Sequence, residues 1–298
     1  MAFDTVSTPS GRAEHVLGGS ANYFSVAASF YHPVRVVAVV GRDFPNDHLK
    51  ILSKRKVDVS GVEVASGDTF RWVGEYEGDM NEARTLSTQL NVFEHFSPKL
   101  GETHRKCSYV FLGNIDPTLQ GQVLDQVSKP RIVAADTMNF WITGKPKELK
   151  ETLSRIDLLS INEAEAKLLS GESNLVNAAR GVQKLGPKAV VIKRGEYGAS
   201  LFVGNEVFMA PAFPTGNVVD PTGAGDSFAG AMMGTLAAHG VTSTSGKAWT
   251  HALRQSIVNG CVMASFTIED FSLNRILKLK TQELKSRQKK FADMIKVR

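Results

Sequence analysis

The chain is poor in cysteine and has no long apolar run. Only Cys107 and Cys261 occur among 298 residues, far apart in sequence and in no metal-type cluster. Neither a disulfide scaffold nor a zinc site is therefore expected, and both read as reduced thiols of a cytoplasmic protein. No apolar stretch approaches the roughly 18 residues that a membrane span needs. The opening MAFDTVSTPSG has neither the basic nor the apolar region of a secretory signal. His32, His95 and the other histidines fall at no spacing that resembles a metal site. There is no Gly-x-Gly-x-x-Gly turn: Gly18-Gly19 lacks the spacing and an upstream strand to present it. That argues against a dinucleotide-dependent oxidoreductase. With 42% hydrophobic and 22% charged residues, and no internal repeat or low-complexity linker, the chain reads as globular and is expected to form a single domain over 1–298.

Excess charge of one sign is confined to one end. The formal net charge is +5, yet residues 275–298 alone hold nine Lys or Arg against Glu283 and Asp293. The rest of the chain is therefore slightly acidic, and no nucleic-acid partner is expected. Ile276, Leu284, Phe291 and Ile295 recur there at roughly helical spacing, which predicts a basic amphipathic helix within 272–298, packed by one face.

Along the chain, short β-branched runs alternate with helix-like segments. Strands are expected over 34–40, 109–112, 131–135, 157–161 and 189–192, each stopping at a glycine or a polar residue. Near-continuous apolar strands alternating with helices predict an α/β fold: a doubly wound, mainly parallel sheet with helices on both faces. Polar residues just past strand ends in such sheets tend to face the ligand crevice, and here they are Asp136, Asn162 and Lys193. Residues 198–211 read as a hairpin turning at Gly204-Asn205. Residues 69–93 alternate aromatic and polar side chains, which reads as antiparallel strands and loops projecting from the body. Such a segment serves as a lid or as a homodimer contact.

The stretch richest in chemistry is DPTGAGDSFAGAMMG, from Asp220 to Gly234. Pro221, Gly223 and Gly225 punctuate a turn, after which small and apolar residues run on as a helix. A glycine turn opening a helix exposes backbone N–H groups beside the positive end of the dipole, which makes an anion hole. Asp226 stands at its edge, where a carboxylate can take a proton from an attacking hydroxyl. The plainer alternative is a carboxylate that only complements the dipole.

DPTGAGD resembles the C-terminal signature of the ribokinase-like sugar kinases, the PfkB family. Other landmarks of the family follow in order: Gly18-Gly19-Ser20-Ala21 opening an Ala-rich helix, Asn162-Glu163-Ala164-Glu165, and the glycine turn Gly195 to Gly198. The resemblance runs from about residue 4 to about residue 270. It implies ATP as phosphoryl donor, Mg²⁺ as cofactor, and a sugar-like or nucleoside substrate. Asp226 would be the base, and Gly223, Ala224 and Gly225 would supply the N–H groups of the anion hole. Asn162 and Glu165 would hold Mg²⁺ through water and the ATP phosphates, which suits an ion that keeps much of its hydration. Lys193, Gly195, Gly198 and Asn259 would line the nucleotide site. Asp4, Gly18, Gly19, Asn22, Tyr23 and Asp136 are the substrate-side candidates. The segment around Asp220 would bind K⁺ through backbone oxygens.

The chain departs from the family pattern twice. The resemblance implies a β-strand ahead of Asp4, but only three residues precede it, so that strand is expected to be missing. The family also commonly places a substrate-binding Asn three residues beyond Gly-Gly, where an ungapped match puts Tyr23, with Asn22 one residue early. On a helix one residue is a rotation of about 100°, so neither substitutes for the other. Tyr23 stacks on a ring or fills core; both readings stand. Trp141 likewise borders the substrate or packs inside. Three functions follow from these residues: a sugar kinase, a nucleoside kinase of the same fold suited by Phe70, Trp72, Tyr76 and Tyr23, and a non-catalytic ligand-binding homologue.

Overall fold

A computed structural model describes residues 1–78 and 80–296; Asp79 of the 69–93 segment, and Val297 and Arg298 of the basic segment, lie outside them. The chain divides into two compact units. The first comprises Met1–Ser97, Ala212–Ala238 and Val258–Arg298, and the second Pro98–Pro211 and His239–Ile257.

The second unit carries the expected α/β pattern. Its six-stranded sheet runs, in spatial order, Glu206–Ala210, Ala199–Val203, Ala189–Lys193, Leu158–Asn162, Ile132–Ala135 and Tyr109–Leu112. The last four pair in parallel, and the first two form the hairpin over Gly204-Asn205. All of Ile132–Ala135 and Ala199–Val203 is buried, as near-continuous apolar runs require. The helices Pro117–Gln126, Pro146–Leu153, Glu163–Ser170 and Leu175–Gln183 supply Leu124, Leu149, Leu153, Ala166, Ala178 and Val182 to the core.

The first unit holds two sheets. One is four-stranded, in the order Gly11–Gly18, Ala2–Thr8, Arg71–Tyr76, Ala83–Gln89. Half of the sheet that contains the 69–93 strands therefore comes from residues ahead of Gly19. The other is a parallel pair, Val34–Val40 with Val57–Val64. Two helices, Ser20–Ala28 and Ala224–Ala238, pack closely because Gly230 and Gly234 present no side chain where the Phe24 and Ala28 carbonyls approach. The basic segment is broken into two helices, Asn274–Lys278 and Thr281–Ile295. Ile276, Leu284 and Phe291 are buried and Ile295 half-buried, so one face packs as expected. No helix among the described residues is long and apolar enough to cross a membrane.

Candidate active site

In the first unit, the turn before Ala224–Ala238 is held from several sides. Asp220 accepts the Thr222 N–H at 2.9 Å and the Ser272 N–H at 3.3 Å, while the Ser272 hydroxyl donates to the Leu17 carbonyl. Val219 N–H donates to the Ile268 carbonyl at 2.7 Å, and Thr8 Oγ1 donates to the Val219 carbonyl at 2.8 Å. Burial raises the Asp220 carboxyl above its ordinary value, and its N–H donors pull it back. Gly223 follows at φ +74, a left-handed conformation that L side chains rarely adopt. The helix then begins with Ser227 N–H donating to the Gly223 carbonyl at 2.8 Å, and Asp226 lies in its first turn. The Ala224 N–H donates to the Pro221 carbonyl at 3.1 Å, so one of the three expected anion-hole donors is already spent.

Tyr23 lies against this turn. Its ring packs on Gly223 so closely that a Cβ there would collide with it, and the residue is only 2% exposed. Of the two readings left open for Tyr23, the structure shows packing, and what the ring packs on is the glycine turn. Burial, with the carboxylates of Asp4, Asp220 and Asp226 around it, pushes the phenol well above its ordinary pKa. Asn22 is fully buried: its amide donates to the Gly18 carbonyl at 2.6 Å, and Oδ1 faces His48 Nε2 at 3.2 Å. That pairing assigns the proton to Nε2 of His48, whose pKa burial lowers to about 4. Asn22 thus braces the Gly18-Gly19 turn rather than presenting its amide outward.

Asp4 sits in the Ala2–Thr8 strand with its carboxylate over Gly18. It is 5% exposed, and burial raises its pKa to about 7; the Gly19 N–H opposes the rise, and Asp220 adds to it. Between pH 4 and 7 an unfolded chain therefore releases a proton that the folded chain keeps. The stability this group contributes is full below pH 4 and is lost as the pH rises through 7. The Asp4→Asn variant is expected to gain stability over the parent across that window, by at most about 4 kcal/mol at about 1.4 kcal/mol per pKa unit. Denaturant melts at pH 4, 6 and 8 check this; a constant difference would mean that Asp4 titrates normally.

Sequence reasoning missed Ser272, His48 and the bond between Tyr76 Oη and Thr222 Oγ1 at 3.3 Å. Only the last had a signal, because both residues lie in segments already singled out. Burial, with the neighbouring carboxylates adding, raises the Tyr76 phenol to about 12.

In the second unit the polar strand-end residues stand in a row. Asp136 Oδ2 meets Lys193 Nζ at 3.1 Å, with side chains 8% and 19% exposed, and Asp136 Oδ1 accepts the Thr137 N–H. Gln120, also missed, donates to the Gly113 and Asp136 carbonyls. Trp141 Nε1 donates to Asn114 Oδ1 at 3.1 Å, and its ring meets Phe140 edge-on. Replacing Lys193 by Met leaves the Asp136 charge buried without its cation and is expected to cost about 3 kcal/mol in urea unfolding. Asn162 and Glu165 form a reciprocal capping box, each side chain bonded to the other's N–H at 2.7 Å. Both offer hard oxygen donors, and one carboxylate with one amide oxygen suits an ion that keeps most of its waters. Gly195 and Gly198, both at positive φ, flank the short turn into the hairpin.

Asn259, expected at the nucleotide, is engaged at both ends of its amide within the first unit. Gln288 donates to it at 2.7 Å, and it donates to Thr235 at 3.0 Å. It ties the basic helix Thr281–Ile295 to its neighbours.

A half-buried glycine turn with an aspartate in the following helix turn, in one unit, and polar groups at the strand ends of the other are features that a phosphotransferase can use. The chain belongs to the pfkB family of carbohydrate kinases, whose sequence model matches residues 3–278. It is thus an ATP-dependent kinase of the class that acts on sugars and nucleosides. It is 30% identical over 243 residues to a cytidine kinase of Thermococcus kodakarensis, covering 78% of this chain and 84% of that one. It is 33% identical over 146 residues to a ribokinase of Arabidopsis thaliana, covering 47% of this chain and 36% of that one. The fold is similar to that of the Methanocaldococcus jannaschii nucleoside kinase, with a TM-score of 0.74 at 18% identity, over 97% of this chain and 95% of that one.

Proposed function

We propose that the chain transfers the γ-phosphoryl group of ATP to a hydroxyl on the sugar ring of its substrate, with Asp226 as the base. The substrate oxygen attacks the γ-phosphorus as the bond to the β,γ-bridging oxygen breaks. ADP leaves, and the hydroxyl proton passes to the Asp226 carboxylate. The observation that supports this reading most is the turn itself. Gly223 is held left-handed over the Tyr23 ring and leads straight into the helix turn that carries Asp226.

With the Ala224 N–H spent, the donors assigned to the phosphoryl oxygens are the N–H groups of Gly223 and Gly225, at the positive end of a helix of 15 residues. Asp4, held over the Gly18-Gly19 turn, grips substrate hydroxyls; at neutral pH it is partly protonated, so it both donates and accepts. Asn162 and Glu165 would hold Mg²⁺ through its waters, and bound Mg²⁺ neutralises phosphate charge. Lys193, kept in place by Asp136, supplies a fixed positive charge for the nucleotide phosphates.

The test is ADP release with ATP and Mg²⁺ against pentoses, hexoses, sugar phosphates and nucleosides, with K⁺ present or replaced by Na⁺. Substrate-dependent release that collapses in Asp226→Asn supports the reading. A well-folded protein that binds a panel member and turns over none would make it a non-catalytic binding homologue.

A further inference from the structure

The strand Arg71–Tyr76 carries an aromatic surface whose orientation is set by a missing side chain. Trp72, Gly74 and Tyr76 alternate onto one face. Gly74 is buried, and a Cβ on it would collide with the benzo ring of Trp72. The indole therefore lies down along its own strand, across Gly74. Its Nε1–H donates to Thr85 Oγ1 at 3.1 Å, and Thr85 is the residue paired with Gly74 on the adjacent strand. The ring is pinned flat at both ends, and the residue is only partly buried.

The neighbours of this ring tie it to the chemistry. On the other side, in the parallel ladder, Trp72 stands opposite Asp4. Two residues further along the same face, Tyr76 bonds to Thr222 in the turn before Asp226. One sheet face thus presents, side by side, the carboxyl assigned to the sugar hydroxyls, a flat indole, and a phenol latched to the catalytic turn. A sugar ring held at Asp4 leaves the indole one strand away, about 4.8 Å across the sheet. Covering it takes a second ring attached to the first, and a planar, electron-poor ring gains most from stacking on indole.

We propose that Trp72 is a stacking platform for a heteroaromatic base, and that the substrate is a nucleoside rather than a free sugar. The inference rests on the phosphotransfer reading only for where the sugar sits. Gly74 and Thr85 are positioning residues for the ring: one makes room for it and the other holds it.

The experiment separates binding from turnover. Cytidine, uridine, adenosine, inosine and ribose are titrated calorimetrically into the protein without ATP, then compared as acceptors with ATP and Mg²⁺. The parent is expected to prefer at least one nucleoside to ribose. Trp72→Ala should weaken that nucleoside by about 5- to 150-fold, the range for one base stacked on an aromatic side chain. Trp72→Phe should retain most of the affinity. Thr85→Val keeps the ring but releases it; it should raise the nucleoside KM several-fold with kcat little changed, and it serves as the second variant if Trp72→Ala does not fold.

Nucleoside affinity unchanged in Trp72→Ala, or ribose preferred by the parent, overturns the platform. Nucleoside binding that needs Trp72, without turnover of any acceptor, keeps the platform and fails the phosphotransfer reading. Nucleoside turnover indifferent to Trp72 does the reverse.

Discussion

Exchanging Asp226 for Asn is expected to lower kcat by about 10²- to 10⁴-fold, the usual contribution of a general base. The two side chains have nearly the same shape, so substrate binding and the KM for ATP should change little. What is lost is the ability to accept a proton as the hydroxyl attacks. The stability cost is small by comparison. A carboxylate in the first turn of a helix contributes about 0.3–1 kcal/mol through the dipole, and up to about 2 kcal/mol where it is half-buried as Asp226 is, so the variant should melt within several degrees of the parent. A folded Asn variant with a collapsed kcat and a preserved KM therefore reports on chemistry alone. Residual turnover is expected, because the N–H groups of Gly223 and Gly225 and the charge of Lys193 remain. A fall of less than tenfold would remove Asp226 from the role of base and leave it as a helix-terminal charge.

How much of this was legible beforehand depends on whether a feature is local in sequence. The strands Ile132–Ala135, Leu158–Asn162 and Ala189–Lys193 announced themselves because each is an apolar run buried on both faces, with a polar residue where the strand ends. Asp136, Asn162 and Lys193 were found that way, and the sheet places all three at the ends of adjacent strands. The glycine turn was legible for a similar reason, since Gly223 and Gly225 sit beside a helix of small residues. The strand Gly11–Gly18 gave no such signal: it is largely exposed and polar, and its place follows from pairing with Ala2–Thr8. Asp4 and Trp72 become neighbours only through a parallel ladder between segments nearly 70 residues apart in sequence.

Side chains with one apparent role were the hardest to read. Asn22 and Tyr23 looked like alternatives for a single contact, but each braces a different glycine turn, Asn22 through the Gly18 carbonyl and Tyr23 through its ring on Gly223. Their difference is the rotation of about 100° between successive helix positions. Nothing in the sequence marks Ser272, whose N–H and hydroxyl link Asp220 to the strand that leads into Gly18. Asn162 and Glu165 show the opposite case: their local reading, a capped helix start, is realised as it stands in the sequence. The capping box fixes the carboxylate and amide oxygens of both residues at a strand end.

Replacing Gly223 by Ala is expected to reduce kcat/KM by about 10³-fold or more, although only one methyl group is added. Two costs fall on the same residue. An L side chain at φ +74 costs roughly 1–2 kcal/mol in backbone strain. The new Cβ also overlaps the Tyr23 ring, which is buried and cannot swing aside into solvent. Overpacking of this kind typically costs a further ~1–3 kcal/mol unless the backbone moves. Relief by movement shifts the N–H groups proposed to hold the phosphoryl oxygens, and a displacement near 1 Å is enough to cost about 10²-fold in rate. The two causes can be separated by a double-mutant cycle with Tyr23→Leu, which removes the ring without adding charge. Tyr23→Leu alone should lower kcat, because the turn loses the ring beneath it. In the double variant the added methyl has room, so Gly223→Ala should cost less than it does in the parent, with a coupling of about 0.5–3 kcal/mol. The strain at φ +74 stays in both backgrounds, which sets a floor that no change at Tyr23 can lift. Strict additivity of the two substitutions would mean that the ring does not bear on the turn, and Tyr23 would then be core and nothing more.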